Sequence, residues 1–296
     1  MKNLKYAYFI IAVLVTNFCF AQLSDLARVD YTIIPRNNST IEYNRTRVLF
    51  NYPIKLKKEG SYLFLGLDYS NINLQATGGI AAVDDDIDGY QLLDLNIGYT
   101  QPLKNDWRLG VRLTPGLSSN LKADDLTLED IVLSTDIVFI KDKTKDTSVK
   151  TPWRLIAGVS YSGNRGFPFP LPFISYYRRF SPNWSYNIGV PKSNLQYRFS
   201  DKHRLKLFAQ LDGFTSNLQR GVPLLNGEED AQSINMSLIV SGLQYEFHII
   251  DHLEFYARAA YILSSNTELR NENRDTIFEL DSSNTLYIRT GVRFKI

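Results

Sequence analysis

Along most of the chain, apolar and polar residues alternate, the period of an extended strand with two unlike faces. Residues 107–114 show it most clearly: Trp107, Leu109, Val111 and Leu113 fall on one face, Arg108, Gly110, Arg112 and Thr114 on the other. The stretch 285–296 repeats it. Leu286, Ile288, Val292, Phe294 and Ile296 share a face on which Thr290 is the only polar member, while Tyr287, Arg289, Gly291, Arg293 and Lys295 share the opposite one. The same alternation predicts strands over 26–35, 41–56, 62–75, 92–102, 131–140, 153–161, 173–180, 184–190, 195–199, 205–211, 234–249 and 253–263, about fourteen in all. The 234–249 pattern changes phase near Gly242, which predicts a bulge there.

The connections alternate too. Tight turns near 58, 105, 182, 202 and 251 are followed by mostly longer loops near 83, 167, 226 and 274; the long turn near 145 and the short loop near 192 depart from this pattern. Three prolines mark 163–172 as a loop, and 219–232 and 264–284 read as long polar loops. Trp107, Trp153 and Trp184 each open a strand leaving the turn side, so the pattern places them at one common depth, as an interfacial girdle does. One face of such strands suits lipid and the other water. Strands that cross a membrane must close on themselves, because an open edge leaves backbone groups unbonded. The expectation is therefore all-β: a transmembrane antiparallel up-and-down barrel of 12–14 strands, as against a soluble sandwich with amphipathic edge strands. An even number puts both chain ends on the same side, provided that 26–35 is a strand of the wall and not a plug or arm.

The start of the chain changes the picture. Lys2 and Lys5, the apolar run 6–18 and Cys19-Phe20-Ala21 read as a cleavable secretory signal over residues 1–21, leaving a single domain, 22–296. A retained helical anchor fits less well, because the apolar run is short and no stop-transfer charges follow; a lipoprotein signal would need a small residue where Phe18 stands. Cys19 is the only cysteine, so the exported chain forms no disulfide. Removing Lys2 and Lys5 from the 33 basic residues leaves them equal in number to the 31 acidic ones, and no global basic field recruits nucleic acid. Beyond the signal no apolar run is long enough for a membrane helix.

The ending resembles the C-terminal assembly signal of outer-membrane barrels at Arg289, Gly291, Phe294 and Ile296, with Ile296 in place of the usual terminal aromatic. Together with Phe20-Ala21-Gln22, the Tyr- and Asn-rich strands and the 291–295 ending, the chain resembles outer-membrane barrels of Bacteroidetes, several of whose families have no known function. The resemblance implies residence in the outer membrane, contact with its lipid, and delivery to the barrel-assembly machinery through the last strand. It implies no catalytic residue.

The residues that carry chemistry are few. Asp84, Asp86 and Asp88, followed by Gly89, match the start of a calcium loop, but the twelfth position is Leu95 and not a bidentate glutamate; a solvated acidic loop tip is the plainer reading. His203 sits in a turn and His248 and His252 flank another, which leaves little from which to build a hydrolase. More telling is the inward-facing set: Arg28, Asp68, Asp94, Arg108, Arg112, Asp136, Arg154, Arg198, Lys206, Asp212, Arg258, Arg289 and Arg293. Arginine predominates over acid. These residues line a porin-like pore for small polar or anionic solutes, or else pair across the lumen and fill it, leaving a structural or adhesive barrel that acts through its loops. A third reading, an outer-membrane enzyme, is disfavoured by the placement of the histidines; the first two call for no enzyme and no cofactor beyond calcium at 84–89. N-terminal sequencing of the protein from an outer-membrane fraction is expected to begin at Gln22, and a first residue at or before Cys19 would refute the signal assignment.

Overall fold

The computed structural model describes residues 25–295, apart from 37–40, 77–86, 124, 168, 226–228 and 281–283. The signal region 1–21 lies outside them. The alternating segments form β1 (Ala27–Ile34), β2 (Ile41–Lys55), β3 (Tyr62–Ala76), β4 (Tyr90–Pro102), β5 (Trp107–Ser119), β6 (Ile131–Asp142), β7 (Trp153–Tyr161), β8 (Leu171–Arg179), β9 (Trp184–Val190), β10 (Lys192–Arg198), β11 (His203–Pro223), β12 (Asp230–Ile250), β13 (Leu253–Arg270), β14 (Thr276–Leu280) and β15 (Leu286–Phe294). Each strand from β1 to β13 pairs antiparallel with the next, and β13 also pairs with β15. β15 in turn meets β1, with Ala27 opposite Phe294 and Ile33 opposite Ile288. The ring is closed. β14 pairs only with the far part of β13, so among the described residues fourteen strands make the wall and β14 extends it. Segment 26–35 is a wall strand.

Tight turns and both ends of the described chain share one end of the barrel. At one of these turns Asn105 and Asp106 take φ of 58° and 62°, the left-handed pair that joins two strands without splaying them. Trp107, Trp153 and Trp184 open β5, β7 and β9 at this turn end. Above them Val29, Phe50, Leu67, Leu113, Ile188, Leu243 and Val292 are exposed on the outer surface, an apolar belt around a polar interior.

On the long strands the apolar face then changes sides. In β3, Leu65, Leu67 and Tyr69 face out, but further up Ile72 and Leu74 are buried inside while Asn71, Asn73 and Gln75 are exposed. The same exchange occurs in β2 (Tyr43 and Ile41 inside), β4 (Leu92 and Tyr90 inside) and β12 (Val240, Leu238, Met236 and Ile234 inside). These residues join Phe214, Leu218, Val222, Leu269 and Leu280 in one core that fills the loop-end half of the barrel. Each such side chain, fully buried, contributes about 1.5–3 kcal/mol. Two expectations are thereby corrected. The phase change near Gly242 is no bulge at that residue, since β12 keeps its register there with β11; it is the edge of the membrane, where the inside becomes the dry side. The register shift lies between Ile239 and Val240 and skips Leu263 on β13. Likewise 219–232 and 264–284 are largely strand: β11, β12 and β13 run far past the belt, paired with one another and packed on this core, so their polar outer residues had the look of loops.

The wall is uneven. β9 and β10 have seven residues each, joined by Pro191, and the last bond between β10's side and β11 is Leu211 N–H to Pro191 O at 2.9 Å. Beyond it β11 turns inward at Gly213, whose φ of 133° and close approach to Met236 O suit only glycine. It then reaches across to β5, with Asn217 beside Ser119 and Asn120 N–H bonded to Asn217 O at 3.2 Å. The barrel is thus tall on the β11–β15 and β1–β5 side and low at β7–β10. Placing a charge at Leu67, within the belt, is expected to cost about 2–4 kcal/mol as Leu67→Arg, and about 0–1 kcal/mol as Asn73→Arg on the same outward row above it; urea unfolding of the refolded barrel in liposomes measures both, and equal costs would misplace the belt's edge.

Candidate functional site

Strand parity turns charged residues of β11–β13, β15 and β1 into the lower lumen, where most of them pair with one another. Glu246 and Glu254 are buried; Arg293 bonds both, at 2.6 Å to Glu246, while Lys206 reaches Glu246 at 2.6 Å and Lys295 reaches Glu254 at 2.9 Å. Asp212 accepts from Arg289 at 2.8 Å and from the Tyr287 hydroxyl at 2.5 Å. Arg258 donates to Gln244 at 2.6 Å and Gln210 at 3.1 Å, and Arg28 lies between Asp25 and Asp30 at 3.2 and 2.9 Å. Such carboxylates tolerate burial only when paired in this way. On this side the lumen is filled.

The facing side, β2–β8, is more open. A cavity of about 770 Å³ extends inward from the turn end past Arg108 and Arg154 to Arg47, Arg112, Asp136 and Phe173. A second, of about 260 Å³, lies beyond it and is lined by Arg45, Arg47, Asp68, Asp94, Arg165, Lys192, Asp212 and Arg289. Arg47 lines both. Its guanidinium grips Asp68 with two bonds, and Arg112 Nε donates to Asp136 at 2.5 Å, so two ion pairs flank the junction. The loop 163–170 folds into the barrel at this level. Asn164 donates to Asp94 at 2.8 Å, its carbonyl accepts from Thr215 N–H at 3.1 Å, and Gly166 O accepts from the Ser237 hydroxyl. The loop presents Arg165, an exposed side chain with no hydrogen bond or ion pair among the described residues.

Of the inward set read from the sequence, Asp68, Asp94, Asp212 and Arg289 line the smaller cavity and Arg28, Arg108, Arg112, Asp136 and Arg154 the larger. Arg258, Lys206 and Arg293 belong to the filled side. Arg108 serves partly to hold the turn at Gly60 O, at 2.7 Å, and Arg198 lies 3.8 Å from exposed Asp201 at the rim, outside both cavities. That set lacks Glu246 and Glu254, which balance the arginine on that side. Arg45, Arg47, Glu246 and Glu254 share the inward parity of their strands and were open to the same reasoning; Arg165 and Lys192, in a loop and at a strand tip, carried no such signal. Asp84 and Asp86 lie outside the described residues, and Asp88 is half-buried beside Gly89 at φ 74°. Among the described residues no cluster of three His, Cys, Asp or Glu side chains is placed to hold a metal. The histidines stand at the turn end, His203 against the Tyr245 hydroxyl at 2.6 Å, His248 against Glu254 at 3.0 Å and His252 against Lys295 O at 3.1 Å.

A family model described as a domain of unknown function (DUF6268) matches residues 64–295, from β3 to the end of β15. The chain belongs to the DUF6268 family. Among solved structures it is similar to the "KdgM porin in complex with disordered oligogalacturonate" (8% identity, 91% of this chain and 99% of that one, TM-score 0.38). It is also similar to the NanC porin (10%, 90% and 100%, 0.39) and to the translocator domain of the autotransporter NalP from Neisseria meningitidis (12%, 100% and 95%, 0.41). At such scores the architecture of the DUF6268 barrel rests on its own strand pairing and not on these likenesses. No curated protein matches the chain.

Outside the membrane, the DUF6268 barrel ties its tall side together at Asp130, in the short turn Leu128–Asp130. The buried carboxylate accepts from Thr127 N–H at 2.8 Å, Asn217 at 2.7 Å and Gln219 at 2.7 Å, which join the β5–β6 loop to β11. Burial pushes this carboxyl up, but hydrogen bonds from Ser119, Thr127, Asn217 and Gln219 outweigh it and hold the group below its ordinary range. A depressed folded pKa stabilises the fold above the unfolded value of about 3.9, and that stability is lost as pH falls through the folded value. Limited proteolysis within 120–130 is therefore expected to stay slow at neutral pH and to accelerate below about pH 4; in Asp130→Asn it is expected to be fast and flat across the same range.

Proposed function

We propose that this DUF6268 barrel is a porin-like channel of the outer membrane, exported by a cleaved signal, assembled through its C-terminal strand, and passing small polar solutes with a preference for anions. The observation that carries this reading is the junction of the two cavities. Arg47 is shared by both, the Arg47–Asp68 and Arg112–Asp136 pairs cancel their own charge, and Arg165, in the lining of the smaller cavity, adds a positive charge that forms no ion pair among the described residues. A fixed cation at a narrow point favours anions by Coulomb attraction in a site partly screened from bulk water. The reading is non-enzymatic. Its solute is defined by charge and size alone.

A second reading has an observation of its own. The apolar core in the loop-end half closes the straight axial route, which favours a structural barrel acting through its outer strands and loops. Conductance separates the two. The refolded mature protein in a planar bilayer is expected to give steady conductance with anion preference, and Arg165→Glu is expected to lower the anion-to-cation permeability ratio several-fold. Arg293→Glu, which sets a third carboxylate beside Glu246 and Glu254, is expected to reduce the yield of folded barrel and not the selectivity. A folded parent with no conductance would overturn the channel and leave the structural reading.

A further inference from the structure

The smaller cavity has a chemistry of its own. Two of its cations are neutralised, Arg47 by Asp68 and Arg289 by Asp212. Three form no ion pair among the described residues: Arg45 donates to the Ser70 hydroxyl, at 2.9 and 3.2 Å, Arg165 makes no hydrogen bond, and Lys192 Nζ lies 5.8 Å from the centre of the Phe208 ring. Against these three stands one carboxylate outside the two ion pairs, Asp94, which accepts from the Asn164 amide and lies in the field of Arg165. The cavity therefore lacks a counter-charge, and an anionic group placed in it gains charge-assisted hydrogen bonds that water supplies less well. The other wall is apolar: Phe167, Phe169, Leu171 and Pro191 line the same space, and Phe167 packs edge-on against Phe169 at 6.3 Å. Phe169 is 52% exposed.

The place of the cavity's mouth gives this pairing of charge and grease a direction. With the axial route closed by the apolar core, the cavity is bounded on its outer side by loop 163–170 and the tip of β9–β10, the low part of the wall. Seven residues at the usual strand tilt rise about 18 Å, short of an apolar belt about 25 Å tall. The rim at Pro191 thus lies below the outer edge of the belt, just beneath the lipid headgroups, and not above it in water. We propose that the smaller cavity binds an amphiphile with one anionic head and a short apolar tail, taken from the outer leaflet over the low rim at Pro191. The head meets Arg45, Arg165 and Lys192; the tail lies on Phe167, Phe169 and Leu171. The proposal rests on the channel reading for its outward-facing mouth and for the continuation into the larger cavity.

The test uses the refolded mature barrel in nanodiscs, with calorimetric titration of sodium decanoate, decyltrimethylammonium bromide and sodium acetate against empty discs as reference. Saturable binding of decanoate at one site, with the cationic amphiphile and acetate at least tenfold weaker, is expected. Arg165→Gln combined with Lys192→Gln is expected to weaken decanoate at least tenfold, Phe169→Ser several-fold, and Arg165→Lys with Lys192→Arg to restore most of the affinity; circular dichroism and heat-modifiable gel mobility check that each variant is folded. Equal binding of acetate, equal binding of the cationic amphiphile, or no effect of the folded double Gln variant would each overturn the proposal. Conductance of the same preparations keeps the two readings apart: steady anion-selective conductance without decanoate binding removes the amphiphile and leaves the channel, whereas decanoate binding without conductance removes the channel.

Discussion

The rest of the structure depends on the closure of the backbone ladder. In hydrocarbon each N–H and C=O must find its partner within the wall, and the ring from β1 through β13 to β15 and back to β1 provides one for every crossing strand. Closing fourteen strands encloses more space than the side chains of one layer fill. The remaining architecture consists of answers to that excess of space: a salt-bridged side, an inserted loop, and an apolar core above the membrane.

Each answer follows from what surrounds it. Within the belt the outside is lipid, so charge can only go inward, and buried Glu246 and Glu254 draw Arg293, Lys206 and Lys295 into a network because an unpaired carboxylate there would be too costly. Above the belt the outside is water, and the same strands reverse their faces so that Ile72, Leu74, Phe214 and Leu238 pack inside. Because the reversal occurs along continuous ladders such as β3 and β12, it needs no break in the backbone; only the solvent changes.

The two halves are not coaxial in effect. β11 leaves the wall at Gly213 and meets β5, which seals the upper half over nine strands and β14 and leaves β6–β10 as a low side. Loop 163–170, held by Asn164 to Asp94 and to Thr215, occupies the gap and sets Arg165 in the lining of the smaller cavity. In the proposed channel the solute path bends from the turn end toward the low rim, which would couple the choice of solute to the membrane surface and not only to the bulk phase.

Much of this was legible in the alternating pattern: strand number, the common end of the three tryptophans, wall membership of β1, and the inward parity of residues such as Arg112, Asp136 and Arg289. Parity is a local property of extended chain, and so the residues alone determine it. The phase change in β12 and the polar outer residues of β11 and β13 were equally visible, yet they pointed to a bulge and to loops, since one strand's pattern does not say which medium each of its faces meets. What only the tertiary structure decided is where partners come from around the ring: that Glu246 and Glu254 balance the arginines, that β11 crosses to β5, and that Arg45, Arg165 and Lys192 share a cavity. Those contacts join positions tens to more than a hundred residues apart, and it is ring closure and the curvature of the wall, not any local preference, that brings them within reach of one another.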